Sequence, residues 1–203
     1  PASRRPVTIS LLVPSRGRPG HLSRLWQSVD DTAHDPASWE LVVRLDDDDV
    51  HAGTYDRTLP GVTWLSGPRV LMSNLWNDCW QAASGDVFWH GGDDVTFNTP
   101  GWDAMVNEAF PPDRIAFVHG DDLGGKGDRL GTHGFVTRAW TDAVGTFTPP
   151  FFSSDFNDLW FNDVADMLGR RVFVDGLVTE HHHPAFDKGE WDETHQDRVA
   201  RHW

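Results

Sequence analysis

Cysteine, tyrosine and long apolar runs are scarce in this 203-residue chain. The single cysteine, Cys79, cannot close an internal disulfide, so we expect a reducing compartment such as the cytoplasm. The apolar stretches, such as Ile9 to Val13, are as long as a strand and too short to cross a membrane. Residues 1–6 are basic but no apolar stretch follows them, so we expect no secretory signal peptide.

Positive charge is also in short supply. Lysine and arginine number 17 against 31 aspartates and glutamates, which leaves a formal net charge of −14. A field of that sign repels a phosphate backbone, so nucleic-acid binding over a broad surface is excluded. The few arginines near predicted strand ends, Arg16, Arg18 and Arg69, are candidates for holding a small anion, the alternative being plain solvated loop residues.

The order of apolar and polar segments predicts an α/β fold in a single domain. In the first half we predict strands at Val7–Val13, Glu40–Leu45, Val62–Leu65 and Val87–His90, and helices that begin at Pro19 and span Val70–Ala83. This alternation implies right-handed crossovers and a mostly parallel sheet. In the second half we predict helices from Thr99-Pro100 to Phe110 and from a Ser154 cap to Leu168, strands at Ile115–Val118, His133–Thr137 and Arg171–Val174, and no element after His183.

Carboxylates cluster at three predicted strand ends, which is where open parallel sheets bind ligands. The clusters are Asp46–Asp49, Asp93-Asp94 and Asp121-Asp122. Like charges packed together need a cation or hydrogen-bond donors, and a divalent ion that shares its ligands with a diphosphate is the simplest answer. For Asp46–Asp49, a solvated turn or a contact with a ribose hydroxyl or base N–H is the alternative.

A histidine run, Glu180-His181-His182-His183-Pro184, follows the last predicted strand. Alternate residues of an extended chain share a face, so His181 and His183 are expected to point together and His182 away. Imidazoles beside carboxylates suit Mn²⁺ or a similar ion. Surface histidines in a loop are the alternative.

One carboxylate stands out on the helix predicted after Ser154. The pattern places Phe156, Trp160, Val164 and Met167 on an apolar stripe and Asp158 on the opposite side. Asp158 is therefore expected to face solvent or a cleft, where it could deprotonate an acceptor hydroxyl as a general base.

Five motifs together resemble those of GT-A-type nucleotide-sugar glycosyltransferases, in particular the family 2-like group and, within it, small enzymes encoded by bacteriophages. In chain order the motifs are Leu11–Pro19; Asn77 with Ala83, Gly85 and Asp86; Gly91-Gly92-Asp93-Asp94 with Pro100-Gly101-Trp102; Asn157-Asp158-Leu159-Trp160; and Glu180–Pro184. The resemblance departs from the family pattern where Gly91-Gly92 stands in place of a leading aspartate, so that either Asp93 or Asp94 could be the metal ligand. It departs again where Asn157 replaces a glutamate.

The resemblance implies a GT-A, Rossmann-like fold with a nucleotide-sugar-binding half (about 1–100) and an acceptor-binding, catalytic half (about 101–203). It implies metal-dependent, inverting transfer from a nucleotide-diphosphate sugar, with Mn²⁺ or Mg²⁺ as the cation and Asp158 as the base. The metal candidates are Asp94, Asp93, His181 and His183. The donor-site candidates are Pro14, Ser15, Arg16, Arg18, Asp46, Arg69, Asn77 and Asp93. The acceptor-side candidates are Asp121, Asp122, His133 and Trp160.

Two other functions also fit these residues. The incomplete aspartate motif would also suit a non-catalytic nucleotide- or sugar-binding module, and the same Asp and His residues could serve a metal-dependent phosphohydrolase. For a transferase, the net charge of −14 favours a virion protein or a glycan over DNA as acceptor, in the host cytoplasm if a phage encodes the chain.

Overall fold

A computed structural model of the chain describes residues 8–153 and 155–200. Its strands are β1 Ile9–Ser15, β2 Trp39–Asp46, β3 Val62–Gly67, β4 Val87–His90, β5 Val95–Phe97, β6 Phe117–Asp121, β7 Gly134–Thr137 and β8 Arg171–His181. Its α-helices are α1 Pro19–Thr32, α2 Met72–Ala82, α3 Trp102–Ala109, α4 Arg138–Val144, α5 Asn157–Leu168 and α6 Glu193–Ala200.

These strands form one mixed sheet in the order β3-β2-β1-β4-β7-β6-β8-β5. The predicted α/β fold with a mostly parallel sheet is confirmed, because only β7 and β5 run against the other strands. The carboxyl ends of β1, β2, β4, β6 and β8 therefore meet at one edge of the sheet. No helix in the described part of the chain is both long enough and apolar enough to cross a bilayer.

The core lies on both faces of the sheet, because successive residues of a buried strand point to opposite sides. In β1, Leu11 and Val13 pack on one face with Leu22 and Val29 of α1. Leu12 packs on the other face in a second cluster with α2, α4 and α5. All of these side chains are fully or almost fully buried, and each contributes about 1.5–3 kcal/mol to folding.

Several predicted boundaries were wrong, because long-range contacts override local signals. Helix α2 begins at Met72, since Leu71 has an extended backbone. The Thr99 hydroxyl does not cap α3; it bonds the backbone of Gly176 and Val178 and so ties the chain to β8. Strand β8 continues to His181 instead of ending at Val174, and it carries the histidine run into the sheet.

Helix α5 buries only part of the predicted stripe, because Trp160 and Val164 pack against the core and the two ends of the stripe do not. Phe156 and Met167 are 60% and 87% exposed, whereas Phe161 and Ala165 are fully buried. The helix begins at Asn157, and the predicted cap Ser154 lies outside the described residues. Because the helix begins at Asn157, Asp158 lies in its first turn.

Three elements were missed: β5, α4 and α6. The polar tail for which no element was predicted contains α6, whose first turn is capped by Asp192, because the carboxylate Oδ1 accepts the backbone N–H of His195 at 2.9 Å. An aspartate just before a polar helix is a start signal that the sequence does carry. The helix has no apolar stripe, so the sequence shows no helical period that would support this start signal.

Glycine 120 is where β6 changes register against β8, between His119 and Asp121. A Cβ at this position would lie 2.0 Å from the backbone oxygen of Leu177. We expect Gly120→Ala to lower the free energy of unfolding by about 1–3 kcal/mol through this clash.

Urea denaturation measures the effect, with Gly20→Ala as the matched control. Gly20 lies in α1 with nothing within 4 Å of a built Cβ, so alanine there should leave stability unchanged or raise it by up to about 1 kcal/mol. Equal stability of the two variants would contradict the steric role of Gly120.

Candidate active site

A cavity of about 900 Å³ opens at the shared carboxyl edge of the strands. Its walls come from the loop after β1, the end of β2, the segment after β4 and the end of β8. The volume lies in the range that small-molecule ligands occupy. The predicted site residues that line it are Pro14, Ser15, Arg16, Arg18, Asp46, Arg69, Asp93, Asp94, His133, Asp158, His181 and His183.

Arg18 is the central cation of this cavity. Its Nη1 lies 3.3 Å from Asp93 Oδ1 and 3.8 Å from Asp94 Oδ2, and its side chain is only 9% exposed. On the other side, Nε and Nη2 donate to the two carboxylate oxygens of Asp192 at 2.6 and 2.8 Å. Burial by itself would lower the pKa of Arg18, but the three carboxylates raise it. The arginine therefore stays charged and offsets the buried acids.

The two aspartates after β4 have different environments. Asp93 accepts a hydrogen bond from Ser15 Oγ at 2.5 Å, and burial raises its pKa to about 7 against the opposing effect of Arg18. Burial also acts to raise the pKa of Asp94, but the neighbouring His181, whose Nε2 lies 3.5 Å from Asp94 Oδ2, brings it below the ordinary value. Asp94 is thus the ionised member of the pair. Both carboxylate oxygens of Asp93 accept hydrogen bonds, one from Ser15 and one from Arg18.

The four consecutive aspartates after β2 also have separate roles. Asp47 and Asp49 are structural: Asp47 accepts from the Ser66 hydroxyl, and Asp49 accepts the backbone N–H groups of Gly17 and His51. Asp46 is buried in the cavity wall, and its Oδ1 has no hydrogen-bond partner. Burial raises the pKa of Asp46, while Arg16, Arg69 and Arg44 oppose that shift.

The remaining predicted arginines lie beside Asp46. Arg16 Nη1 is 3.1 Å from Asp46 Oδ2 and also contacts Asp48, and Arg69 Nε is 3.7 Å from Asp46 Oδ2. The C-terminal segment reaches the same place: Thr194 donates its hydroxyl to the Arg16 carbonyl at 2.8 Å, and Asp197 pairs with Arg69. The segment that carries α6 therefore contacts Arg16, Arg18 and Arg69.

Histidines from separate elements form a row along the cavity. The ring centroids of His133 and His181 are 4.7 Å apart, those of His181 and His183 5.2 Å, and those of His183 and His195 4.9 Å. His182 points away, with Nε2 at 2.9 Å from the Thr96 hydroxyl, as alternation along a strand predicts. Burial, together with the neighbouring His181, lowers the pKa of His133 to about 4, so its ring is neutral.

The side chains at the end of β8 fit a divalent cation. Asp122, His133 and His181 each offer one ligand atom, and these three atoms lie within 4.8 Å of one another. Nδ1 of His181 and both ring nitrogens of His133 are buried without a hydrogen-bond partner. Neutral imidazole nitrogens and a carboxylate are ligands that transition-metal ions accept.

Asp158 lies in the first turn of α5 at the cavity wall. Burial raises its pKa above the ordinary aspartate value. The preceding Asn157 is buried and accepts a hydrogen bond from the Ser73 hydroxyl at 2.9 Å, which ties α5 to α2. A neutral amide suits this buried position, whereas a glutamate there would bring in a second charge.

Some predicted site residues lie away from the cavity. The Asn77 amide holds the loop at residues 146–148, accepting the backbone N–H of Phe147 and Thr148 and donating to the Thr148 carbonyl. Trp160 packs against the core cluster below α5. Asp121 accepts the backbone N–H of Leu123 in the turn after β6. Sequence reasoning missed Asp192, Thr194, His195 and Asp197, because the segment carrying them showed no apolar period.

No protein-family model and no curated protein sequence matches the chain. Solved structures do match it. One is the mannosyltransferase PcManGT from Pyrobaculum calidifontis in complex with GDP-Man and Mn²⁺, with a TM-score of 0.73, 13% identity and coverage of 88% of this chain and 57% of that one. Another is S. aureus TarS 1–349 in complex with UDP-GlcNAc, with a TM-score of 0.66, 14% identity and coverage of 85% of this chain and 58% of that one.

These similarities establish the fold, which is that of GT-A glycosyltransferases. A mycobacterial protein is similar at a TM-score of 0.62 and 17% identity. The chain spans 57% of the PcManGT chain and 58% of the TarS 1–349 chain, and it spans 36% of the longer TarS chain.

The pairing of Asp192 with Arg18 predicts a specific pH dependence. Burial acts against ionisation, but the hydrogen bond from Arg18 lowers the pKa of Asp192 to about 2. A carboxyl with a depressed folded pKa stabilises the fold above its unfolded pKa of about 3.9 and loses that contribution as the pH falls towards 2. We expect Asp192→Asn, which keeps a capping side chain, to lower stability at pH 7 by about 1 kcal/mol or less.

Thermal unfolding of both proteins between pH 7 and pH 2 checks this expectation. The difference between the wild type and Asp192→Asn should shrink below about pH 4. Asp175→Asn is the control, because Asp175 is exposed on β8 and its loss should change stability at no pH. A gap that stays constant down to pH 2 would show that the carboxylate charge does not stabilise the α6 contact.

Proposed function

We propose that the chain is a metal-dependent glycosyltransferase of the family 2-like GT-A group that transfers a sugar from a nucleotide-diphosphate sugar to an acceptor hydroxyl with inversion. The observation that carries the proposal is the convergence, in one cavity of about 900 Å³ in a GT-A fold, of three arginines, an ionised aspartate beside histidine, and a desolvated carboxylate on a helix N-terminus. These are the groups that binding and transfer would require.

Recognition of the donor is assigned to the arginine side of the cavity. Arg16, Arg18 and Arg69 supply the positive charge that a diphosphate needs, in a chain whose net charge is −14. Asp46 has an unpartnered buried oxygen, Oδ1, that can accept a hydrogen bond from a ribose hydroxyl or a base N–H. The backbone of Pro14 and Ser15 forms the adjoining wall. GDP-mannose and UDP-GlcNAc, which are bound in the similar PcManGT and TarS structures, are the first donors to test.

The cation, Mn²⁺ or Mg²⁺, is assigned to the histidine side. Of the residues that the resemblance implies, Asp94 and His181 remain able to hold an ion, whereas Asp93 is bonded to Ser15 and Arg18, and His183 Nδ1 accepts the Ala185 N–H at 3.1 Å. The chemistry that a bound divalent ion supplies is stabilisation of the negative charge on a leaving diphosphate. Arg18, whose Nη1 lies 3.8 Å from Asp94 Oδ2, would supply positive charge to the diphosphate from the arginine side of the cavity.

Asp158 is assigned the role of general base. In the first turn of α5 its carboxylate is stabilised by the helix dipole, while its desolvation raises its pKa towards the value that favours proton abstraction near neutral pH. It would take the proton of an acceptor hydroxyl aligned behind the anomeric carbon. We expect a protein or glycan acceptor, in the cytoplasm of the host if a bacteriophage encodes the chain.

The donor assignment predicts ligand-dependent stability. We expect UDP or GDP, added with Mn²⁺, to raise the melting temperature, because a ligand at a hundred times its Kd stabilises the folded state by about 2.7 kcal/mol. Arg69→Met should reduce the shift, whereas Arg57→Met, an exposed arginine stacked on Trp64, should not. The absence of a shift with either diphosphate would contradict donor binding.

The base assignment predicts a loss of turnover without a loss of donor affinity. We expect Asp158→Asn to lower kcat by about 10²- to 10⁴-fold, and the acid limb of the wild-type rate profile to lie above the ordinary aspartate pKa. Asp163→Asn is the control, because Asp163 is exposed on the same helix. Release of the free diphosphate from the donor is the measurement.

The outcome also separates the competing functions. Full activity of Asp158→Asn would contradict the assigned role. Donor binding without turnover in the wild type would favour a non-catalytic binding module. Hydrolysis of phosphate esters without a sugar donor would favour a phosphohydrolase.

A further inference from the structure

Three ligand-type side chains meet at the carboxyl edge of the sheet, next to the arginine cluster. Asp122 directly follows β6, His133 directly precedes β7, and His181 is the last residue of β8. The backbone holds them together, because the His181 N–H donates to the Asp122 carbonyl at 3.1 Å. Their ligand atoms lie within 4.8 Å of one another.

The buried nitrogens of this cluster lack the partners that buried polar atoms normally have. Nδ1 of His181 and both ring nitrogens of His133 have no partner in hydrogen-bond geometry, and the nearby His90 backbone only partly offsets the effect of burial on the pKa of His133. A buried polar atom left unpaired destabilises the folded state by about 1–3 kcal/mol. The two rings have centroids 4.7 Å apart and lie beside a carboxylate. Imidazole and carboxylate groups are ligands that a divalent transition-metal ion accepts.

The aspartates after β4 are already compensated by a side chain. Arg18 contacts both Asp93 and Asp94, and Asp93 also accepts from Ser15. A divalent ion between Asp93 and Asp94 would have to share that space with a guanidinium, and like charges at short distance repel. Among the described residues, no arginine or lysine contacts the side chains of Asp122, His133 and His181.

We propose that Asp122, His133 and His181 form a two-histidine, one-carboxylate site for a divalent transition-metal ion, in place of the Asp93, Asp94 and His181 set that the family resemblance implies. Imidazole ligands favour Mn²⁺, Co²⁺ and Zn²⁺ over Mg²⁺, which prefers oxygen. Asp94, 3.5 Å from His181, borders the site and links it to the arginine cluster. The inference deepens the proposed function by naming the ligands of its cation, but ion binding itself requires no sugar transfer.

The test is Co²⁺ binding by the untagged 203-residue chain without nucleotide, followed by the visible absorption of the bound ion and by calorimetry. We expect one Co²⁺ per chain, retained in about a hundredfold excess of Mg²⁺. Asp122→Asn and His133→Gln should each weaken binding by at least about tenfold. His182→Gln is the matched control and should bind as the wild type does, because His182 faces Thr96.

Circular dichroism of each variant establishes that it is folded. Should His133→Gln or Asp122→Asn not fold, pulsed electron paramagnetic resonance of Cu²⁺ in the wild type counts the coordinated imidazoles, and two are expected. The proposal would be overturned if both variants bound Co²⁺ with wild-type affinity, if only one imidazole coordinated Cu²⁺, or if the wild type bound no Co²⁺.

The same samples keep the two claims separate. Asp158→Asn should bind Co²⁺ as the wild type does, even where it no longer turns over donor. Co²⁺ binding as expected, with no donor turned over by the wild type, would refute the transferase and leave the metal site standing. If sugar transfer by the wild type depends on metal but Asp122→Asn and His133→Gln keep full Co²⁺ affinity, the proposed metal site is refuted and the transferase stands.

Discussion

The contact of Arg18 with three carboxylates is the interaction on which the site depends. Asp93 and Asp94 are buried side by side at the end of β4, an arrangement that repels itself unless a positive charge lies within a few ångströms. Arg18 supplies that charge from the loop after β1, and its other side binds Asp192, 174 residues away in the chain. One guanidinium therefore fixes the β1 loop, the β4 end and the C-terminal segment relative to one another, and all three line the cavity.

Charge divides the cavity into two parts that suit different chemistry. On the side of β2, Arg16 and Arg69 surround the buried Asp46 and make a surface for an anion. On the side of β8, His133, His181 and Asp122 present imidazole nitrogens and a carboxylate, which suit a cation. Asp94 lies between the two, in contact with both Arg18 and His181. A nucleotide-diphosphate sugar with a bound metal ion carries the complementary pattern, with its negative diphosphate next to its cation.

The sequence predicted much of the fold because local signals and tertiary structure agree in the first half. Strand β1 is an apolar run that continues through Pro14 to Ser15, where a polar loop follows, and α1 begins at Pro19, where a missing N–H does no harm. In the second half they disagree. Of the predicted α5 stripe only Trp160 and Val164 pack against the core, and the antiparallel direction of β7 follows only from its pairing with β4 and β6.

For the site, the sequence by itself determined which groups are available: carboxylates after β2, β4 and β6, histidines after β8, and three arginines in a chain with few of them. The tertiary structure alone decided how they are used. Asp47 and Asp49 hold turns while their neighbour Asp46 lines the cavity, Asn77 holds a loop, and a polar tail supplies Asp192. The physical reason is that the state of a charged or polar side chain depends on its burial and on its nearest partner, and most of the partners here lie far away in the chain, as Ser66 does from Asp47 (19 residues) and Arg18 from Asp192 (174 residues).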